Sequence, residues 1–151
     1  EVRGAHANRL TEGLKTIPGI QTVRYPENSN PVWHLYPFRI DSSQFNGLTR
    51  DQFVKALNAE GVPCSAGYHE QYFDGLLDEA VNSRGFKRLF SPARLKAYLE
   101  SFHELKGNRL VCNTTVAITQ NLLLAGRDDI DHIIEAVRKI QKHSAALAKA
   151  A

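Results

Sequence analysis

One short stretch of this chain has the composition of a binding loop. Residues 64–73 read CSAGYHEQYF, so a thiol and a hydroxyl are followed by glycine, two phenols and an imidazole. Such groups bind small polar molecules or move protons, and loops at strand ends commonly carry them. The aromatic residues Tyr68, Tyr72 and Phe73 could equally be packing anchors. Residue types alone leave both interpretations open.

No complete catalytic constellation can be assembled from the sequence. It has no glycine-rich phosphate loop, no nucleophilic serine in a Gly-x-Ser-x-Gly turn, and no histidine pair flanking a glutamate at a spacing of four. His69-Glu70 and His103-Glu104 are isolated pairs. We therefore predict no catalytic residue in this chain.

We also predict no metal site. Cys64 and Cys112 lie far apart in sequence and fit no metal or redox spacing, so we expect two reduced thiols in a cytoplasmic protein. The acidic residues at 128, 129 and 131 are interpreted as favourable charges at the start of a helix.

Composition favours an ordinary globular domain spanning residues 1–151. The chain is 42% hydrophobic and 23% charged, with a net charge of +3. The basic residues are interleaved with acids, and the densest clusters, Lys87-Arg88 and Arg138-Lys139, indicate a solvated face; we predict no nucleic-acid partner. No apolar run approaches the ~20 residues that span a bilayer, so we expect no membrane association.

An amphipathic helix is predicted at the start of the chain. Val2, Ala5, Leu10 and Leu14 recur near a period of 3.6, and a proline–glycine pair should end the helix near Thr16. No capping residue precedes it, and the chain has no methionine. We therefore expect the sequence to be a piece of a longer protein.

Strands are predicted by β-branched and aromatic runs between turn signals. The predicted strands are 20–25, 32–40, 62–67 and 116–118. Pro37 lies inside the second of them and indicates an edge position or a bulge.

Further helices are predicted from caps and apolar periodicity. Thr49 and Gln52 form a capping-box pattern, and Gly61 should end that helix. A short helix is predicted over 74–81, and another over 92–105 that ends at Gly107. The final helix should have Asp128, Asp129 and Asp131 in its first turn and should bury an apolar face made of Ile130, Ile133, Ile134, Val137 and Ile140.

The order of these elements predicts an α/β (α+β) fold. A small, mostly antiparallel sheet of three or four strands would be covered by helices.

The same elements resemble the C-terminal small domain of the DegT/DnrJ/EryC1/StrS family of pyridoxal-phosphate aminotransferases. The matching segments, in family order, are 3–20, 32–36, 49–63, 64–72 and 116–131. The segment 64–72 is similar to the G-Y-x-x-x-Y variant found in members that act on cyclitols. Glu70 and Gln71 stand where the family often has proline and an apolar residue.

The resemblance implies a fold like the C-terminal domain of fold type I pyridoxal-phosphate (PLP) enzymes and a site at a domain interface. In the family, the Schiff-base lysine and the cofactor site lie in the larger N-terminal domain, so we expect no PLP in this chain alone. The implied substrate-side residues are Tyr68, His69 and Tyr72, followed by Gln120 and Asn121. The implied partners are the large domain, a second subunit of a homodimer, and a keto-sugar (often nucleotide-linked) or cyclitol substrate.

Two alternatives stay open. The family includes dehydratases, in which the lysine is replaced, and proposed regulatory members. Independently of the resemblance, the absence of a catalytic constellation also fits a non-enzymatic α/β binding or interaction module.

Overall fold

Two units make up the computed structural model, which describes residues 1–150; Ala151, the last residue of the predicted domain, lies outside the described residues. The first unit combines Glu1–Gly67 with the segment that begins at Thr114. The second unit is Tyr68–Asn113. Each unit is described below by itself.

The elements follow one another along the chain as α1 (Val2–Leu14), β1 (Ile20–Thr22), β2 (Leu35–Ile40), α2 (Arg50–Ala59), β3 (Cys64–Ser65), α3 (Leu76–Asn82), α4 (Arg84–Leu89), α5 (Pro92–Ser101), α6 (Lys106–Thr114), β4 (Thr115–Thr119) and α7 (Arg127–Leu147). Short 3-10 turns lie at Ser42–Phe45, Gln71–Phe73, Phe102–Glu104 and Leu122–Leu124.

A four-stranded sheet forms the centre of the first unit, in the order β1-β2-β4-β3. Every neighbouring pair is antiparallel. Phe38 lies opposite Thr22 on one side and Val116 on the other. The predicted fold class, a small antiparallel sheet with helices, is confirmed.

Alternation along β2 supplies the centre of the core. Tyr36, Phe38 and Ile40 are each at most 1% exposed, while the residues between them are half-buried. The Phe38 and Phe45 rings meet Phe53 of α2 edge-on, with centroids 6.1 and 5.5 Å away. Edge-to-face pairs of this kind contribute about 0.5–1.5 kcal/mol each beyond area burial.

Helix α7 buries the predicted isoleucine-rich face. Ile130, Ile133, Ile134, Val137 and Ile140 are all at most 7% exposed, which confirms the prediction. The helix begins at Arg127, and the backbone N–H of Gly126 donates to the Asp129 carboxylate at 2.8 Å. The periodic pattern and the acidic first turn therefore identified both the face and the start of this helix.

The buried face of α1 differs from the predicted one. Leu10 and Leu14 are fully buried as expected, but Val2 is 53% exposed and Ala5 is also exposed. Ala7 takes the third buried position. Val2 lies in the first turn, outside the contacts that the later turns make with α7 and the sheet.

Strand β2 is shorter than predicted and is not an edge strand. It starts at Leu35, because Trp33 adopts a left-handed backbone conformation (φ 54°) that breaks the extended run. Pro37 lies opposite Ala117 of β4, whereas the β1 ladder extends only to Phe38. The proline therefore lies where one side of the strand has no paired neighbour, and proline is tolerated at such positions.

Helix α2 begins and ends as predicted. Thr49 Oγ1 accepts from the Gln52 backbone N–H, and the Gln52 side chain accepts from the Thr49 N–H at 2.8 Å, completing the capping box. Gly61 (φ 84°) follows the helix, and its N–H donates to the Asn58 carbonyl. The chain then enters β3, which has two residues rather than the predicted six.

The second unit is helical. The predicted helix over 74–81 is found at Leu76–Asn82, and α5 accounts for the first part of the predicted 92–105 helix. Helix α4 was not predicted. The prediction that Gly107 ends a helix was wrong, because Gly107 is the second residue of α6. The predicted 92–105 helix is therefore α5 followed by a 3-10 turn, and α6 is a further helix that was not predicted.

No helix within residues 1–150 is long and apolar enough to cross a membrane.

Replacing Gly19 with alanine tests the turn between α1 and β1. Gly19 has φ +83°, and a Cβ there would lie 2.6 Å from Gln44 Cβ and 2.9 Å from the Phe45 ring. We expect Gly19→Ala to lower the free energy of unfolding by about 1–3 kcal/mol, measured by denaturant titration.

Gly4→Ala is the matched control for the same exchange. Gly4 is helical, and nothing lies within 4 Å of the position of its Cβ. We expect it to leave stability unchanged or raise it by up to about 1 kcal/mol. Equal effects of the two substitutions would contradict the described geometry.

Candidate functional site

The segment singled out by composition begins at the end of β3. Asn58 of α2 donates to the Cys64 carbonyl at 3.0 Å, and the Arg50 guanidinium donates to the carbonyls of Ala66 (2.7 Å) and Thr115 (3.3 Å). Gly67 has φ +64°, and a Cβ there would approach Thr115 Cγ2 to 3.1 Å. Side chains of α2 therefore fix the chain up to the point where it leaves the first unit.

Tyr68 and His69 are the first two residues of the second unit. Tyr68 is 64% exposed, and the side chain of His69 is 75% exposed. The His69 Nε2 atom pairs with the Asp74 carboxylate. Both rings are therefore accessible to a ligand.

Tyr72 belongs to a polar group within the second unit. Its hydroxyl donates to Glu70 Oε1 at 2.9 Å, and Arg109 Nε of α6 donates to the same oxygen at 3.1 Å. The Glu70 side chain is only 19% exposed, so its charge needs these donors. Glu70 thus links the candidate loop to α6.

The ring of Tyr72 is also packed. It stacks on Phe102 with centroids 5.1 Å apart and meets Phe73 edge-on at 4.5 Å. Phe102 is buried and also contacts Tyr98. The packing-anchor interpretation therefore applies to Tyr72, whereas Tyr68 is exposed.

Gln120 and Asn121 follow β4 in the first unit, and both are exposed. The Gln120 side chain accepts from the guanidinium of Arg3, and Asn121 accepts from the Thr119 hydroxyl. His6 Nδ1 lies 3.0 Å from the Leu123 carbonyl oxygen. Polar side chains of α1 therefore line this connection.

A two-bond ion pair holds α1 beside the same connection. Arg9 donates through Nε and an Nη atom to the Asp131 carboxylate of α7 at 2.8 and 2.6 Å. The hydrogen bond from Arg9 holds the pKa of Asp131 below its usual value. Asp131 therefore forms an ion pair with α1, in addition to being one of the favourable charges predicted at the start of α7.

The structure thus places the five predicted site residues in two groups. Tyr68, His69 and Tyr72 lie in the second unit, and Gln120 and Asn121 lie in the first. Within the second unit, Glu70 and Arg109 are polar residues that the sequence did not single out. Arg109 was missed because α6 was not predicted; Glu70 was noticed only as a departure from a family pattern.

Among residues 1–150, Cys64 and Cys112 form no disulfide, and no cluster of three or more His, Cys, Asp or Glu could hold a metal ion. Burial raises the pKa of the Cys64 thiol to about 11. The thiolate is the nucleophilic form, so the raised pKa lowers the fraction of Cys64 that can react at neutral pH.

Comparison with known proteins gives a family match. The sequence pattern of the DegT/DnrJ/EryC1/StrS aminotransferase family matches residues 1–87. Two proteins named putative L-glutamine:3-amino-2,3-dideoxy-scyllo-inosose aminotransferase are similar to the chain. The one from Streptoalloteichus tenebrarius is 28% identical over 96% of this chain, and the one from Micromonospora echinospora is 27% identical over 97%. The chain spans about 35% of the length of each.

Two solved structures share the fold. The crystal structure of 3-amino-5-hydroxybenzoic acid (AHBA) synthase superposes with a TM-score of 0.66 at 18% identity, covering 92% of this chain and 33% of that one. S. venezuelae DesV, solved in complex with a ketimine intermediate, gives a TM-score of 0.53 at 22% identity, covering 93% and 31%. At these identities the likeness concerns the fold alone.

A double-mutant cycle on Glu70 and Arg109 tests the link between the loop and α6. We expect Glu70→Gln and Arg109→Ala to show a coupling free energy of about 1 kcal/mol in denaturant unfolding, because Glu70 is largely buried. Glu104 and Lys106 are the control pair; they lie 3.7 Å apart and are about 80% exposed, so we expect coupling near zero. Equal coupling in both cycles would contradict the assignment.

Thiol reactivity tests the environment of Cys64. In a Cys112→Ser background at pH 8, we expect Ellman's reagent to react about a hundredfold more slowly than in the unfolded chain, because the pKa rises from 9.0 to about 11. A rate that levels off near pH 9 would contradict the raised pKa.

The same pKa shift affects stability. Because the fold favours the neutral thiol, the contribution of Cys64 to the free energy of unfolding is complete below pH 9 and is lost as the pH rises towards 11.

Proposed function

This chain belongs to the DegT/DnrJ/EryC1/StrS aminotransferase family, and we propose that it is the C-terminal small domain of a PLP-dependent aminotransferase. We propose a keto-sugar (often nucleotide-linked) or a cyclitol ketone as substrate. The observation that carries the proposal is the family match over residues 1–87, together with relatives that align with 96% and 97% of the chain. That the chain spans about 35% of those relatives supports a small-domain role.

In this proposal the chain forms one wall of the substrate cleft. Tyr68 and His69 would contact the substrate, since both are exposed and carry a phenol and an imidazole. Tyr72 would act with them, but its hydroxyl already donates to Glu70. In the first unit, Gln120 and Asn121 offer amide groups that hydrogen-bond to sugar or cyclitol hydroxyls.

The residues of this chain do not fit a PLP site. A Schiff-base lysine is activated in a desolvated pocket or by a neighbouring cation, whereas every lysine among residues 1–150 is exposed. PLP, the Schiff-base lysine and the reaction would belong to a large domain of the same parent protein, which we propose works as a cytoplasmic homodimer.

The experiment compares this 151-residue chain with the full product of the gene that encodes it. We expect the gene product to form a PLP Schiff base, seen by absorbance, and to transfer nitrogen from L-glutamine to 3-amino-2,3-dideoxy-scyllo-inosose or a nucleotide-linked keto-sugar. We expect the 151-residue chain to fold and to show neither property. A residue other than lysine at the Schiff-base position, or saturable PLP binding by the short chain, would contradict the proposal.

Substitutions in the gene product test the proposed contacts. We expect Tyr68→Phe and His69→Ala to lower kcat/KM by about tenfold or more, because each removes a polar contact to the substrate. Tyr25→Phe is the matched control, since Tyr25 is 40% exposed and belongs to no proposed site. Unchanged kcat/KM in both site variants would remove these residues from the site while leaving the family assignment intact.

A further inference from the structure

Two adjoining grooves lie on the second unit, where α4 is followed by α5. One has a volume of about 360 Å³ and is lined by apolar side chains that include Phe90 and Leu95, with Lys87 and Lys96. The other has a volume of about 270 Å³ and is lined by Phe86, Phe90, Leu95, Tyr98 and Arg94. Phe90 and Leu95 line both, so the grooves adjoin at these two side chains.

Basic residues outnumber acidic ones around these grooves, and one acidic neighbour, Glu100, lies 3.7 Å from Lys96. Residues 80–99 contain five basic residues and no acidic one. The basic residues are Arg84, Lys87, Arg88, Arg94 and Lys96. Three of them line the grooves themselves, so an apolar occupant that also carries carboxylates would meet complementary charge on both sides.

Aromatic rings are exposed at the same place. Phe86, Phe90 and Tyr98 are each 38–43% exposed, and Phe86 and Phe90 contact one another with centroids 5.7 Å apart. Exposed apolar patches rimmed by polar residues usually mark interaction sites. Aromatic anchors surrounded by charge also give most of the binding energy in protein interfaces.

We propose that this α4–α5 surface binds an acidic, amphipathic helix of a partner protein. The helix would place two apolar side chains, three or four residues apart, in the two grooves and carboxylates beside Lys87, Arg94 and Lys96. Helices bind hydrophobic grooves in this way through anchors at such spacings.

The size and shape of the grooves favour a peptide over a small molecule or a lipid surface. Both volumes lie near or below the lower end of the about 300–1,000 Å³ typical of small-molecule pockets. Two adjoining grooves fit two side chains on one backbone. A lipid surface would instead use protruding apolar groups, and these grooves are concave.

The test uses the 151-residue chain and the full gene product as targets for a displayed library of random 14-residue peptides. We expect the selected peptides to carry apolar residues three or four apart with flanking Asp or Glu. A fluorescein-labelled selected peptide is then titrated by anisotropy against each target. We expect Lys87→Glu with Lys96→Glu to weaken binding about tenfold or more at low salt.

The control is the double variant that combines Lys142→Glu with Lys149→Glu. It changes the net charge by the same amount as the test variant, but in the first unit, where both residues are exposed. We expect this variant to bind within about twofold of the original chain. Selection of no peptide or of basic peptides, or equal loss in both variants, would overturn the proposal. So would binding to the short chain but not to the gene product, which would assign the surface to the chain's own large domain.

Binding to a membrane surface is tested with vesicles of phosphatidylcholine and phosphatidylserine. Binding to these vesicles that depends on Lys87 and Lys96, without selection of acidic peptides, would overturn the proposal in favour of a membrane surface. We expect no such binding.

Discussion

The antiparallel pairing of β2 with β4 is the interaction on which the first unit depends. It joins two parts of the chain that the whole second unit separates in sequence. Phe38 and Val116 face one another in this ladder, and both are fully buried. Helix α7 packs against α1 and α2, and its isoleucines belong to the same buried cluster as Phe38 and Val116. The entropy of closing so long a loop is offset by this buried contact and by the α1–α7 packing.

The sequence predicted the elements whose signals are local. The capping box of Thr49 and Gln52 and the 3.6-residue period of α7 each lie within one element, so no knowledge of distant partners was needed. Pro37 shows the limit of such signals. Whether a proline fits at this position of β2 depends on where β1 stops pairing with it, and that is a property of another strand. Gly107 shows a second limit. Glycine commonly ends helices, but Gly107 lies in the first turn of α6.

The candidate site was predictable to a similar extent. The composition of residues 64–73 singled out the segment, and the structure shows that Tyr68 and His69 are exposed; their role in a site stays a prediction. The hydrogen bond between Arg109 and Glu70 was not predictable, because it connects residues 39 positions apart. Tyr72 packs against the buried ring of Phe102, and the local sequence does not predict that burial. Local chemistry was therefore visible in the sequence, and the contacts that orient it were not.

The position of β4 late in the chain has a consequence for folding during synthesis. The ribosome releases β1, β2 and β3 first, and β2 then exposes an unpaired edge until β4 emerges after the whole helical segment. The second unit, whose contacts are local, can form in that interval. An open edge beside a row of aromatic side chains is prone to wrong pairing with other chains. Between the appearance of β2 and that of β4, this part of the chain can therefore pair wrongly with other chains.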